Sequence, residues 1–230
     1  MISKKIIVAL DSDNIKKIIK LVTELKSEAY AFKIGYEFFF NFGIDGYYNI
    51  KKICPNIFLD LKLHDIPNTV QRGIKAIDKL KPLLTTIHIS GGDKMMKSSL
   101  IDRKYTKILG VSILTSLDTK EIKKYYNETK IKILVSKFVK QAKKNRLDGV
   151  VCSPKEIKYV RKEIGDKLLI VTPGIRLQKI NSKKDDQKRV LTPSDAIKLG
   201  ADLLVIGRPI TQSINPLKTL KAINKSLSLK

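Results

Sequence analysis

Residues 6–13 read IIVALDSD, five apolar residues followed by two acids around a serine. A run that is apolar through its length, rather than alternating with polar residues, fits a strand covered on both faces, as in a parallel sheet wrapped by helices. The residues after it decide which wrapping. An open, doubly wound nucleotide-binding sheet would follow its first strand with a G-x-G-x-x-G turn, but Ala9-Leu10-Asp11-Ser12-Asp13 stands there instead. A closed barrel is the better expectation.

The rest of the chain repeats the pattern. Apolar runs recur at 29–34, 57–61, 85–89, 108–114, 148–152, 168–172 and 202–207, and segments of helical period lie between most of them. In the first of those segments Ile15, Ile18, Ile19, Val22 and Leu25 form one stripe with lysines opposite. Ser153-Pro154 with Glu156 reads as an N-cap, a first-turn proline and a capping-box acid, and Thr192-Pro193 and Asn215-Pro216 repeat the device. Eight strand–helix units in 230 residues predict a (β/α)8 TIM barrel. No linker-like stretch divides residues 1–230, so a single domain is expected.

Composition narrows the function classes. The N-terminal segment MISKKIIVALDSD has no secretory pattern and no apolar run approaches ~18 residues, which predicts a cytoplasmic protein with no membrane span. Cys54 and Cys152 are too few for a disulfide framework and lack metal-ligand spacing. The two histidines form no H-x-H or H-E-x-x-H pattern, so no metal centre is expected. The formal charge of +24 is the strongest oddity. Its lysines are scattered over the polar faces of helices, without a basic tail or aromatic interleaving, which favours a solvated surface over a specific nucleic-acid site.

Barrels of this kind carry their chemistry at the C-terminal ends of the strands. There the sequence offers Asp11, Lys33 before Gly35, Asp60 and Lys62, His88 and Ser90, Thr115-Ser116, Thr172-Pro173-Gly174, and Gly207-Arg208. Taken alone, Asp11 reads first as a helix N-cap. His88 and Ser90 fit a satisfied core or a pocket rim equally well. Asp60 and Lys62, two apart on one strand, point the same way. Their spacing fits either a buried salt bridge that closes the barrel or a functional pair. The segment 174–190, GIRLQKINSKKDDQKRV, contains Arg176 and Gln187 and is long and polar, like a lid; IGRPITQS at 206–213 supplies Gly207 and Arg208. Phosphate is often held at these last two units of a barrel, so a phosphorylated small molecule is the expected ligand.

These residues form ordered motifs. Asp60-Leu-Lys62-Leu-His-Asp65 is a D-x-K-x-x-D element continued by Ile66-Pro67-Asn68-Thr69. It is accompanied by HISGG (88–92), LTS (114–116), DGVVCS (148–153), VTPGIR (171–176), DQKRV (186–190) and VIGRPIT (205–211). The set resembles the orotidine 5′-phosphate decarboxylase family from VALD to the last helix. The resemblance implies conversion of orotidine 5′-monophosphate to uridine 5′-monophosphate and carbon dioxide, without metal or organic cofactor. It implies Lys62 as proton donor to C6 of the pyrimidine, Asp60 beside the departing carboxylate, and both Asp60 and Asp65 flanking Lys62. Lys33 and Asp11 would contact the ribose, and Thr115, with or without Ser116, the base. Gln187, Arg208 and the Gly207 amide would hold the phosphate, with Arg176 in the same closing loop. The family's dimers imply that Asp65 and Thr69 reach into the neighbouring subunit's site. One departure is that GIRLQKINSKK lacks the proline and glycine common after GIR, which bears on loop closure. Related sugar-phosphate enzymes share D-x-K-x-x-D but use magnesium; the Ile66-Pro67-Asn68-Thr69 continuation favours the nucleotide enzyme.

The charge reading has a direct check. Purified protein is expected to bind nucleic acid weakly, without sequence preference and with steep loss on adding salt; tight binding at physiological salt contradicts it.

Overall fold

Parity, more than the number of apolar residues, explains how the sheet closes. The computed structural model describes residues 4–177 and 191–228. Its strands are β1 (Ile6–Ala9), β2 (Ala31–Ile34), β3 (Ile57–Leu63), β4 (Leu84–His88), β5 (Lys107–Val111), β6 (Gly149–Val151), β7 (Leu169–Thr172) and β8 (Leu203–Ile206). Each pairs in parallel with the next, and β8 pairs with β1, so the eight strands form a closed barrel. Because successive side chains alternate between faces, Ile7, Ala9, Ala31, Phe58, Leu84 and Leu109 cluster inside. Ile6, Val8, Phe32, Ile34, Leu59 and Ile87 belong to the larger cluster that includes the buried helix faces. Both faces are dry, which is why the runs are apolar throughout.

The inside is limited in volume. A Cβ on Gly149 of β6 would lie 2.5 Å from the Leu169 carbonyl oxygen and 2.8 Å from Leu109 Cδ2, so the narrow waist admits no side chain there.

The covering helices are α1 (Ile15–Leu25), α2 (Tyr36–Ile53), α3 (Pro67–Leu80), α4 (Gly92–Ser99), α5 (Thr119–Tyr126), α6 (Ile131–Lys144), α7 (Ile157–Ile164), α8 (Pro193–Lys198), α9 (Arg208–Thr211) and α10 (Pro216–Ser228). On α1 the stripe read from sequence buries Ile18, Val22 and Leu25. The cap of α1 is Asn14, whose side chain accepts from the Lys17 N–H at 3.0 Å. Asp11 is therefore not the cap that its position suggested; it lies three residues too early to meet the first-turn donors. The other caps stand where the sequence put them. The Ser153 N–H donates to Glu156 at 2.9 Å, Thr192 accepts from the Asp195 N–H at 3.3 Å, and Asn215 accepts from the Lys218 N–H at 2.9 Å.

The fifth strand is shorter than its apolar run. β5 ends at Val111; the Ser112 N–H still reaches the Val151 carbonyl at 3.2 Å, and the chain then turns, with the Leu117 N–H on the Leu114 carbonyl at 3.1 Å. Thr115 consequently sits in a loop rather than on the strand. Among the described residues no helix is long and apolar enough to cross a membrane.

Buried polar groups away from the strand C-termini are structural. Asp78 accepts from the N–H groups of Lys104, Tyr105 and Thr106 at 2.9–3.0 Å. Burial alone would raise its carboxyl, but these bonds outweigh that and hold it below the usual carboxylate range.

Candidate active site

The parity that lines the barrel with apolar residues also builds the site. One step beyond Ala9 is Asp11, beyond Ala31 is Lys33, beyond Phe58 is Asp60, and beyond Val205 is Gly207. All of these residues except Ala31 line a cavity of about 590 Å³ at the C-terminal ends of the strands, within the ordinary range for a small-molecule site. Lys62, Thr115, Arg176 and Arg208 line it too. Ser116 is exposed and does not, which separates the two candidates in the LTS segment. Gln187 lies outside the described residues. Sequence reasoning missed Glu37 and Gln212, which also line the cavity. Their signal was their nearness to Gly35 and to the GRPIT segment.

Four charges alternate in sign across the floor. Lys33 Nζ lies 3.3 Å from Asp11 Oδ1 and 3.9 Å from Asp60 Oδ2, and Lys62 Nζ lies 2.8 Å from the same Asp60 oxygen. The side chains of Asp60 and Lys33 are only 10% and 14% exposed, so neither charge would be tolerable alone. Asp60 is the shared partner of both ammonium groups. Lys33, which interrupts an otherwise apolar strand, is thereby explained.

Two backbone features make the array possible. Gly35 follows β2 closely: a Cβ there would lie 2.8 Å from Lys33 Nζ and 3.5 Å from Asp11 Oδ1, so its missing side chain leaves the space the ammonium occupies. Lys62 has φ of 45°, left-handed for a non-glycine residue, where the β3–β4 register shifts between Leu59 and Leu63. Such a conformation costs about 1–3 kcal/mol. A bulge of this kind re-aims a side chain, and here the ammonium swings back onto Asp60. Lys62 Nζ also lies 5.9 Å from the centre of the Tyr36 ring, whose hydroxyl donates to the Leu61 carbonyl at 3.1 Å.

Asp65, expected to serve the neighbouring subunit's site, does not meet Lys62 of its own chain. Within the chain it is exposed, and Oδ1 accepts from the N–H of Ile66 at 2.6 Å; the ion pairs of Lys62 and Asp60 do not include it. Thr69, in the first turn of α3, is exposed and is not among the residues lining this cavity. Neither His88 nor Ser90 lines this cavity. The His88 ring stands 5.3 Å from that of His64, and Ser90 Oγ lies 3.5 Å from His64 Nε2. A second groove of about 740 Å³ runs beside the site between α1 and residues 211–216. It shares Asp11, Glu37 and Gln212 but excludes the Lys33–Asp60–Lys62 cluster. The smaller cavity is the one with chemistry. Among the described residues no group of three or more His, Cys, Asp or Glu is placed to hold a metal ion.

Comparison with known proteins follows the same residues. The orotidine 5′-phosphate decarboxylase / HUMPS family matches residues 4–223. The chain belongs to this family. It is 44% identical over 225 residues to the orotidine 5′-phosphate decarboxylase of Wolbachia pipientis subsp. Culex pipiens, covering 97% of this chain and 98% of that one. To the orotidine 5′-phosphate decarboxylase of Vibrio campbellii it is 40% identical over 233 residues, covering 99% of each. The crystal structure of orotidine 5′-phosphate decarboxylase from Lactobacillus acidophilus superposes with a TM-score of 0.85 at 37% identity, over 98% of this chain and 99% of that one. The Asp60-x-Lys62-x-x-Asp65 element lies along β3 and the loop after it.

Two outcomes test this geometry. Gly35→Ala is expected to change stability by no more than ~0.5 kcal/mol, because only the end of a flexible side chain must move, while Lys33 Nζ leaves Asp11. A crystal structure with Lys33 unmoved contradicts it. For His88, burial holds the imidazole below its ordinary value, helped by His64 and Lys62 and opposed by Asp60. The folded state thus favours the neutral ring, and the unfolded chain binds the extra proton as pH falls below ~6.5. Unfolding free energy should accordingly drop on acidification through and below that value, and His88→Asn should flatten the slope. An unchanged slope in the variant removes His88 from the explanation.

Proposed function

We propose that this chain decarboxylates orotidine 5′-monophosphate to uridine 5′-monophosphate, acting as a cytoplasmic, single-domain enzyme with Lys62 as the proton donor. The observation that carries the reading is Asp60 and Lys62 paired at 2.8 Å on the cavity floor, in a chain whose full-length relatives bear that enzyme's name.

The chemistry asks for such a pair. Breaking the bond from C6 to the carboxyl carbon releases carbon dioxide and leaves the electron pair on C6, where the ring offers no conjugated sink. A fixed ammonium beside that carbon stabilises the developing charge without reorganising, then gives up a proton to form the C6–H bond. Lys62 regains its proton from solvent. Asp60 lies beside the departing carboxylate and its partner contacts orient the ammonium. Lys33 and Asp11 serve the ribose, Thr115 the base, and Arg208, the Gly207 amide and Gln187 the phosphate, with Arg176 at the closing loop. Binding of the remote phosphate supplies free energy for assembling the reacting end. No metal or organic cofactor enters this scheme.

We further propose that the enzyme works as a homodimer, with Asp65 and Thr69 of each subunit reaching the site of the other. What supports this is an apolar surface beside the mouth: Tyr36, Phe40 and Ile66 are 49%, 78% and 66% exposed, with the Tyr36 and Phe40 rings stacked at 5.7 Å. Exposed aromatic clusters of this sort favour burial against a partner. Asp65 sits at its edge, next to Ile66.

The deciding experiment is loss of the orotidine 5′-monophosphate absorbance in excess chelator. Full turnover with wild type, and loss of at least ~10⁴-fold in Lys62→Ala with the fold intact, is expected for removal of a group acting on the reacting atom. Dependence on magnesium would point to the sugar-phosphate branch of the family, and near-normal turnover in Lys62→Ala would remove the proton donor.

A further inference from the structure

Where β3 bulges, β4 carries two successive threonines. In the ladder Leu59 stands opposite Thr85 and Leu63 opposite Ile87, so Asp60, Leu61 and Lys62 face Thr86 alone. Both threonines are fully buried, and each uses its hydroxyl on β3. Thr85 donates to the Leu59 carbonyl at 2.8 Å, just before the irregular stretch. Thr86 sits inside it and makes two bonds. Its Oγ1 accepts from the Lys62 backbone N–H at 2.9 Å, and its O–H donates to Asp60 Oδ1 at 2.8 Å.

The direction of these bonds is not free. A backbone N–H can only donate, and an ionised carboxylate can only accept, so the single hydroxyl proton must lie toward Asp60. One small side chain therefore closes a ring with both members of the pair. Through Lys62 N–H it holds the left-handed backbone that turns the ammonium back toward the cavity. Through Asp60 Oδ1 it fixes the carboxylate plane, leaving Oδ2 for Lys62 at 2.8 Å. In a strand whose other described positions are Leu84, Thr85, Ile87 and His88, an apolar residue at position 86 would fill the same space and make neither bond.

We propose that Thr86 is a positioning residue, setting the Asp60–Lys62 pair in reacting geometry without itself touching substrate. It rests on the reading of Lys62 as proton donor. Thr86 does not line the cavity, so its removal should leave the contacts to phosphate and ribose in place. Its effect should fall on kcat and spare KM, since misplacing a reacting group by about 1 Å can cost on the order of 10²-fold in rate.

The test compares Thr86→Val, Thr86→Ala and Thr86→Ser with Thr85→Val, each checked for folding by circular dichroism and assayed with orotidine 5′-monophosphate. Thr86→Val keeps the volume but not the hydroxyl, and its kcat should fall roughly 10- to 100-fold with KM changed less than about threefold. Thr86→Ala should fall likewise and gives the reading if the valine variant does not fold. Thr86→Ser, which restores both bonds, should return kcat to within about threefold of wild type. Thr85→Val should lower the unfolding midpoint without that loss in kcat. Wild-type kcat in Thr86→Val or Thr86→Ala, or a serine variant as impaired as the valine one, overturns the proposal. Lys62→Ala run alongside separates the two readings: if it turns over, the proton-donor assignment fails, whereas if it is inactive and Thr86→Val is not impaired, only the role of Thr86 fails.

Discussion

At the C-terminal mouth of this barrel the inner charges are largely shielded from solvent, with the side chains of Asp60 and Lys33 only 10% and 14% exposed, and the arrangement of the site follows from that constraint. Four ionised side chains stand there because they alternate in sign: Asp11, Lys33, Asp60 and Lys62 are linked by contacts of 3.3, 3.9 and 2.8 Å. Removing any inner member would leave a neighbour uncompensated, at a cost that typically exceeds what the pair contributes to stability. The array is thus better understood as a device for holding an ammonium in place than as a source of stability. Substrate charge then enters a field already fixed, which is the condition under which electrostatics lowers a barrier most.

Much of this was legible in the sequence because period and parity are sequence properties. All eight apolar runs became strands, and the capping residues at Ser153, Thr192 and Asn215 fell where the motifs placed them. The inward direction of Asp60 was legible from Leu59, Leu61 and Leu63, which alternate with it and pack toward the helices. The misjudged positions depend on geometry that spacing does not encode. Asp11 looked like a cap until Asn14 took the donors of α1. The run 108–114 looked like one strand, though pairing stops near Ser112. The left-handed turn at Lys62 and the two bonds of Thr86 were invisible, since nothing in a Thr-Thr pair announces a bulge on the neighbouring strand.

The two ends of the barrel divide the polar work. At one end Asp78 saturates itself with backbone N–H groups and Arg161 bonds Gly200 and Asp202, so these charges have no capacity left for a ligand. At the other, Lys62 is 28% exposed at its side chain and Asp11 53%, leaving each able to meet an incoming molecule. The difference between a structural and a functional charge here is that residual access. The exposed Tyr36–Phe40 pair beside Lys62 extends the same end of the barrel outward, toward the surface proposed to carry a second subunit.

The claim that Lys62 delivers a proton to C6 is tested most directly through the reverse half-reaction. By microscopic reversibility, a group that protonates C6 must also remove that proton from product. Incubated with uridine 5′-monophosphate in D₂O, wild-type protein should catalyse deuterium incorporation at C6, followed by proton NMR, and Lys62→Ala should show none above the uncatalysed rate. Exchange by Lys62→Ala at the wild-type rate would contradict the account.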